Sequence, residues 1–248
     1  MVFMKNTYLS TKLKTNFRGI QQSTLKSHER KACLNISIDQ KNEQGDKLAA
    51  IIDKANRSFG HFDLMLCDSL NRFNLIIERG LSMREAEIEA NNMGDEWIEK
   101  NQKYINSLHI PGRIIRWDEW RIHDNFQNIH QKLAHLVHTD EECMEVFSQV
   151  AHSYFERKQL AVDERSFALS IDYLIEECAI IVLWAIAGYH YELYPSTRSP
   201  VSAYTLEHFA KNILRTKLYF LRIEFKKSTL PESYEQQEYK HQFSAIAE

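Results

Sequence analysis

A doubly wound α/β domain is the fold this sequence predicts, and three observations predict it. A compact apolar run, Ala32–Ile38, is bounded by polar residues on both sides and reads as a buried strand. A second such run, Phe62–Cys67, follows after a stretch in which Leu48, Ile51, Ile52 and Ala55 recur at helical spacing. Strand, helix and strand within about 35 residues form a βαβ unit, which implies a parallel sheet. The third observation is residues 166–189, apolar almost all round and therefore a central, buried helix.

The remaining elements follow in order. Asp46 has the chemistry of an N-cap for the first helix, and Gly60 can close it. A long polar helix is expected from about Ser82 to Leu108, and a third strand at Arg113–Trp117. Two helices are expected over residues 124–138 and 140–159, the second opened by a capping box, Thr139-x-x-Glu142. Residues 217–225 fit either a last strand or a helix. Seven Gly and four Pro are too few to mark a linker, so residues 1–248 are expected to form a single domain. Ligands of such sheets bind beyond the carboxyl ends of the strands, and Ser37 stands at one.

Composition narrows the function classes. Hydrophobic residues at 44% and charged residues at 26% are ordinary for a globular chain, and a net charge of −3 gives no global pull towards nucleic acid or membrane. The charge is uneven, however: residues 1–31 hold seven Lys or Arg, and residues 211–227 hold six, each against one acid. Such local surfaces bind phosphates. Cys33, Cys67, Cys143 and Cys178 are scattered without metal spacing and read as small buried hydrophobes in a reducing compartment. The longest apolar run, Cys178 to Ala187, has ten residues, half of the roughly 20 that a membrane span needs. With no apolar leader at the start, the expected location is cytoplasmic. No G-x-G-x-x-G or P-loop follows the first strand, which argues against a dehydrogenase or a kinase.

The residues that carry chemistry are few. Ser37 is a hydroxyl at a strand end, which is also where turn and cap serines stand. Tyr173 and Glu177 lie four apart, on one helix face, where a carboxylate is either a solvated surface group or a desolvated base. Tyr194 precedes Pro195. His130, His135 and His138, with Glu142, are spaced by three and five rather than as a helical ligand pair, so no metal site is expected.

Taken together, an apolar strand ending in Ser37, the stretch Tyr173-x-x-x-Glu177 and the pair Tyr194-Pro195 resemble the signatures of the cyclodipeptide synthases, over about residues 30 to 200. Tyr194-Pro195 and Gln40 are similar to the Tyr-Pro (XYP) subgroup. Departures are Lys31 for the family's usual His, Asn35 for its Gly and Ala179 for its Pro. The strongly basic helix of many members is missing too, since residues 82–107 carry six acids against three bases.

The resemblance implies a Rossmann-like parallel sheet flanked by helices, similar to the catalytic domain of class I tyrosyl- and tryptophanyl-tRNA synthetases. It implies a monomer that needs no cofactor and takes two aminoacyl-tRNAs, with no DNA or membrane partner. Ser37 would attack the first aminoacyl ester, while Tyr173 and Glu177 hold its amino group. The amine of the second aminoacyl-tRNA would then attack, with Glu177 as base, to give a dipeptidyl-enzyme, and Tyr194 would relay a proton in cyclisation to a diketopiperazine. The family's first pocket would fall on Cys33, Asn35, Met65 and Ile180, its second on Val150, Arg157, Lys158 and Glu192, with Gln40 and Pro195 beside the catalytic groups. Asn35 suggests a small first residue, and the second pocket a polar or acidic one. Lys100, Lys103, Arg113 and Arg116, with residues 211–227, are the expected tRNA contacts. Two other readings compete: a non-catalytic tRNA-binding module, which would not need Ser37, and a serine hydrolase or acyltransferase, which would want a G-x-S-x-G elbow where this chain has LNISI.

Overall fold

The computed structural model describes residues 13–19, 30–214 and 217–227. One sheet of six strands runs through them: β1 (Leu13–Arg18), β2 (Lys31–Ile36), β3 (His61–Leu66), β4 (Ile114–Arg116), β5 (Tyr191–Tyr194) and β6 (Tyr219–Lys227). Their spatial order is β1-β6-β5-β2-β3-β4. All neighbours pair in parallel except β1, which runs antiparallel to β6 at the edge. Chain order grows outward from β2 towards β4 on one side and resumes with β5 and β6 on the other. The winding direction therefore reverses between β2 and β5, and a cleft opens there at the carboxyl ends.

The helices are α1 (Gly45–Asn56), α2 (Arg72–Arg79), α3 (Met83–Ile105), α4 (Trp117–Arg121), α5 (Phe126–Thr139), α6 (Glu141–Lys158), α7 (Glu164–Ile186) and α8 (Pro200–Tyr204). They fill two layers, as period-two alternation along the strands requires. Ala32, Leu34, Ile36, Phe62, Leu64 and Leu66 pack with α1 and α3, while Cys33, Met65 and Ile115 pack with α5, α6 and α7.

The expected βαβ unit, the polar helix, the short third strand and the buried helix are all present. Ser82 caps α3 in a capping box with Glu85. The ambiguous stretch 217–225 falls largely within β6, a strand because it finds a partner on each side. The edge strand β1 escapes sequence reading because its pattern, LKTNFR, buries only Thr15 and Phe17.

Three caps differ from expectation. Asp46 lies inside the first turn of α1, after Gln44 at the cap position, and that helix ends at Arg57 rather than Gly60. At α6, Asp140 accepts the Cys143 N–H at 2.8 Å. Thr139 instead donates its hydroxyl back to the His135 carbonyl, which ends α5 and leaves no box with Glu142. A carboxylate one residue on meets the free N–H groups of the first turn better than a hydroxyl turned into the preceding helix.

All four cysteines are buried free thiols. Among the described residues no helix is long and apolar enough to cross a membrane. The apolar α7 instead passes through the core with Cys178 to Ala185 almost fully enclosed.

Its one charged anchor there is Glu176, which is 5% exposed. Arg72 grips it with both terminal nitrogens, at 2.9 and 2.5 Å, and the Trp117 indole N–H donates to it at 2.9 Å. This bidentate pair ties the starts of α2 and α4 to the middle of α7. Removing one partner strands a buried charge, so Glu176→Ala should lose about 3–5 kcal/mol of unfolding free energy in a denaturant titration. A loss below about 1 kcal/mol would show the pair to be dispensable.

Candidate functional site

Between the carboxyl ends of β2 and β5 lies a cavity of about 160 Å³, lined by Asn35, Ser37, Cys67, Tyr173, Glu177, Ile181, Glu192, Tyr194, Thr197, Ser199, Ser202 and Phe220. Register explains the convergence. Leu34 pairs with Leu193, so Asn35 lies level with Tyr194, and Ser37 emerges just beyond. Alternation turns Cys33, Asn35, Glu192 and Tyr194 to the face covered by α7. From α7, Tyr173 and Glu177 reach the same space one helical turn apart, whereas Glu176, rotated about 100° further back, serves the Arg72 anchor. All four expected catalytic residues thus line one cavity.

The loop after β2 is bound on both sides. The Gln40 N–H donates to the Ser37 carbonyl at 2.9 Å, and the Ser37 N–H donates to Glu43 Oε2 at 2.7 Å. Beside it, the Cys67 N–H continues the β2–β3 ladder to the Ile36 carbonyl, and the Cys67 thiol donates to Asn35 Oδ1 at 2.8 Å.

The electrostatics are set by burial. Glu177 is pushed up to about 7, chiefly by desolvation and further by the neighbouring negative charge of Glu192. Glu192, 3% exposed, is itself raised by burial, which Arg198 at 3.4 Å and the Asn35 amide oppose. Tyr173 and Tyr194 are both raised by burial and by carboxylates nearby, so both hydroxyls keep their protons at neutral pH. A base poised near neutrality beside two proton-holding hydroxyls and a serine is the equipment of acyl transfer with proton management.

Other expected site residues fall elsewhere. Cys33, Met65 and Ile180 are fully buried in the core beneath the cavity rather than in its lining. Val150 packs partly against that core. Arg157 and Lys158 are exposed at the end of α6; Arg157 is near enough to act on the Tyr194 hydroxyl, and Lys158 pairs with Glu78 at 2.7 Å. Gln40 is exposed and Pro195 half-buried. Sequence reading missed Cys67, Ile181, Thr197, Ser199, Ser202 and Phe220, and it missed Glu43 behind the serine. The hydroxyl-rich stretch after Tyr194, PSTRSPVS, was the one signal available.

The expected tRNA contacts separate into groups. Lys100 pairs with Glu96 and Lys103 lies over the Tyr104 ring, both on the exposed side of α3. Arg116 is held by Asp68 and Asp95 at 2.5 Å each, with Gly94 giving it and Asp68 room against α3. Arg113 pairs with Glu119 and precedes β4, so it lies at the amino ends of the strands, away from Ser37. There it borders a separate cavity of about 520 Å³ with Lys31, His61 and Tyr189. Within 211–227, Lys211 and Lys217 line a further cavity of about 550 Å³ with Arg198, and Lys217 precedes β6 and so stands, like Arg113, towards the amino ends of the strands. Arg215 lies outside the described residues, as do most of 1–31. No three His, Cys, Asp or Glu side chains among the described residues converge as a metal site.

This arrangement has the chemistry that acyl transfer needs, at the switch point of a Rossmann-like sheet. No protein-family model matches the sequence, and no curated protein does. Solved structures do. A CDPS from Fluoribacter dumoffii superposes with a TM-score of 0.80 at 30% identity, over 87% of this chain and 100% of its own. A cyclodipeptide synthase from Candidatus Glomeribacter gigasporarum bound to Phe-tRNAPhe gives 0.68 at 18% identity, over 86% and 95%. A tyrosyl-tRNA synthetase from Archaeoglobus fulgidus complexed with L-tyrosine shares the fold at 0.53 and 12% identity, over 79% and 55%. The chain belongs to the cyclodipeptide synthase family, and with it to the tRNA-dependent aminoacyltransferases.

The raised Glu177 sets a pH test. A carboxyl that must be ionised to accept a proton is inactive below its own pKa, so kcat/KM should fall about tenfold per pH unit below about pH 7. Glu192→Gln removes a negative neighbour and should move that limb to lower pH. A limb that stays in place would take Glu192 out of the electrostatics of the base.

Proposed function

We propose that this enzyme joins two aminoacyl groups, each delivered on tRNA, into a cyclic dipeptide through a covalent aminoacyl-Ser37 intermediate, as a member of the Tyr-Pro subgroup. The observation that carries the reading is the meeting of Ser37, Tyr173, Glu177 and Tyr194 in one cavity at the switch point. An ester to tRNA is already activated, so the protein needs a nucleophile, positioning and proton management.

Atom balance fixes the order. Ser37 Oγ attacks the first aminoacyl ester, and the ribose hydroxyl of the tRNA leaves with the serine's proton. Glu177 then accepts a proton from the ammonium of the enzyme-bound residue, steadied by the Tyr173 hydroxyl. That amine, not the amine of the second aminoacyl-tRNA named in the expectation drawn from the resemblance, must be the attacking group. Attack by the second aminoacyl-tRNA's amine would release Ser37 and leave the dipeptide on tRNA. Attack on the second ester instead frees the second tRNA and leaves a dipeptidyl-Ser37. The new terminal amine closes on the seryl ester, the ring departs, and Tyr194 relays the proton back to Ser37 Oγ.

The cavity's dimensions bear on the substrate. At about 160 Å³ it is well under the roughly 300–1,000 Å³ of drug-sized ligand pockets, which supports a small residue on Ser37. Its lining of Glu177 and Glu192 disfavours an acidic side chain there, while the exposed Arg157 leaves room for a polar second residue outside. For tRNA, Lys211 and Lys217 share a cavity with Arg198, whose guanidinium reaches Glu192 of the site's lining, and Lys100 and Lys103 stand exposed on α3. Arg113 and Arg116 are engaged with carboxylates, which weighs against them.

Two experiments test the reading. Bacteria expressing the chain should release a diketopiperazine, found by mass spectrometry of the medium and absent with Ser37→Ala; product from Ser37→Ala would end the covalent scheme. Reversing Lys211 and Lys217 to Glu should raise KM for aminoacyl-tRNA about tenfold and flatten its salt dependence, whereas Arg113→Glu should change neither. The opposite pattern would move the tRNA to the face around the cavity that Arg113 borders.

A further inference from the structure

Glu43 is fully enclosed, with 0% exposure, yet it lies outside the cavity's lining. One of its oxygens accepts the backbone N–H of Ser37 at 2.7 Å. The other, Oε1, is buried without a hydrogen-bond partner among the described residues. Its own backbone N–H donates to the Gln40 carbonyl at 3.3 Å, closing the short helical turn 41–43 beneath the serine. A buried carboxyl with one oxygen unused is costly to keep, and such groups persist where a function requires them.

We propose that Glu43 is the positioning residue of the nucleophile: it fixes the bend after β2 by holding the Ser37 amide from below, while the Gln40 N–H holds the Ser37 carbonyl. The inference rests on the reading of Ser37 as the acylated residue. It has a second consequence. The nucleophile's own N–H is occupied by a carboxyl oxygen, so it is withdrawn from stabilising the oxyanion of the tetrahedral intermediate, a task that falls to other donors of the cavity wall. Burial holds the Glu43 carboxyl well above the ordinary carboxylate range, with the Ser37 N–H opposing in part. A neutral carboxyl accepts an N–H as a glutamine amide oxygen does, which makes Glu43→Gln the conservative variant. Tyr194 and Cys67 are ionisable groups in electrostatic range of Glu43.

The test compares wild type with Glu43→Ala and Glu43→Gln in two measurements. Hydrogen–deuterium exchange of the peptide containing Ser37 needs no activity: Glu43→Ala should exchange at least about tenfold faster there, and Glu43→Gln should match wild type. Quenched-flow formation of aminoacyl-Ser37 from one aminoacyl-tRNA should slow about 10–100-fold in Glu43→Ala, with KM for aminoacyl-tRNA unchanged and with rescue by Glu43→Gln. Unaltered exchange in Glu43→Ala would overturn the hold on the amide. Faster exchange with an unaltered acylation rate would overturn its catalytic role. If Glu43→Ala fails to fold, Glu43→Gln and Glu43→Asp decide: a Gln variant as slow as the Asp variant overturns the proposal, because the acceptor oxygen would then not be what matters. Wild type that forms no seryl adduct sinks the underlying reading and the catalytic role together, while the exchange result still decides the hold.

Discussion

Everything at the site depends on β2 being hydrogen-bonded on both sides by parallel neighbours, β3 and β5. Parallel pairing aligns the carboxyl ends, and the reversal of winding between β2 and β5 keeps a covering loop from closing over them. Ser37 and Tyr194 are neighbours only for this reason, since 157 positions separate them in sequence. A slip of one residue in β2 would turn Cys33, Asn35 and Ser37 to the α1–α3 layer and bring Leu34 and Ile36 to the cavity. Ala32, Leu34 and Ile36, all with 0% exposure, hold the register by filling the opposite core.

The second element is α7, which carries two adjacent carboxylates into different surroundings. Glu176 meets Arg72, Trp117 and, at 3.8 Å, Arg121, and is thereby a structural anchor. Glu177 faces a desolvated cavity with Glu192 as its neighbour, which pushes its carboxyl up to about 7, where it suits the base of the proposed reaction. Rotation along one helix thus separates stability from chemistry. The rigid Arg72 pair fixes the rotation of α7, and so also the direction in which Tyr173 and Glu177 point.

Much of this was legible in the sequence. The strand ending in Ser37, the Tyr173/Glu177 face and Tyr194 are each weak signals alone; their order, which resembles the family's signatures, singles them out, and the βαβ pattern supplies the sheet that gathers them. What was not legible depends on contacts between distant segments. Glu43 sits in a polar run, KNEQGD, that reads as a solvated loop, and only the turn 41–43 folds it under Ser37. Arg113 and Arg116 look alike in RIIRW, yet one falls at the amino end of β4 and the other at its carboxyl end against Asp68. That Glu192 acts on Glu177 follows from its pairing with Cys33, a matter of register that the sequence does not display.

The account's central claim is that Ser37 carries the first aminoacyl group as an ester. Intact-mass spectrometry after acid quench, with one aminoacyl-tRNA species supplied in the first seconds of turnover, tests it directly. The account predicts a fraction of the enzyme heavier by one aminoacyl residue, with the added mass on the peptide containing Ser37 and none on the Ser37→Ala variant. Steady production of the cyclic dipeptide with no such adduct, or with the adduct on another residue, would contradict it.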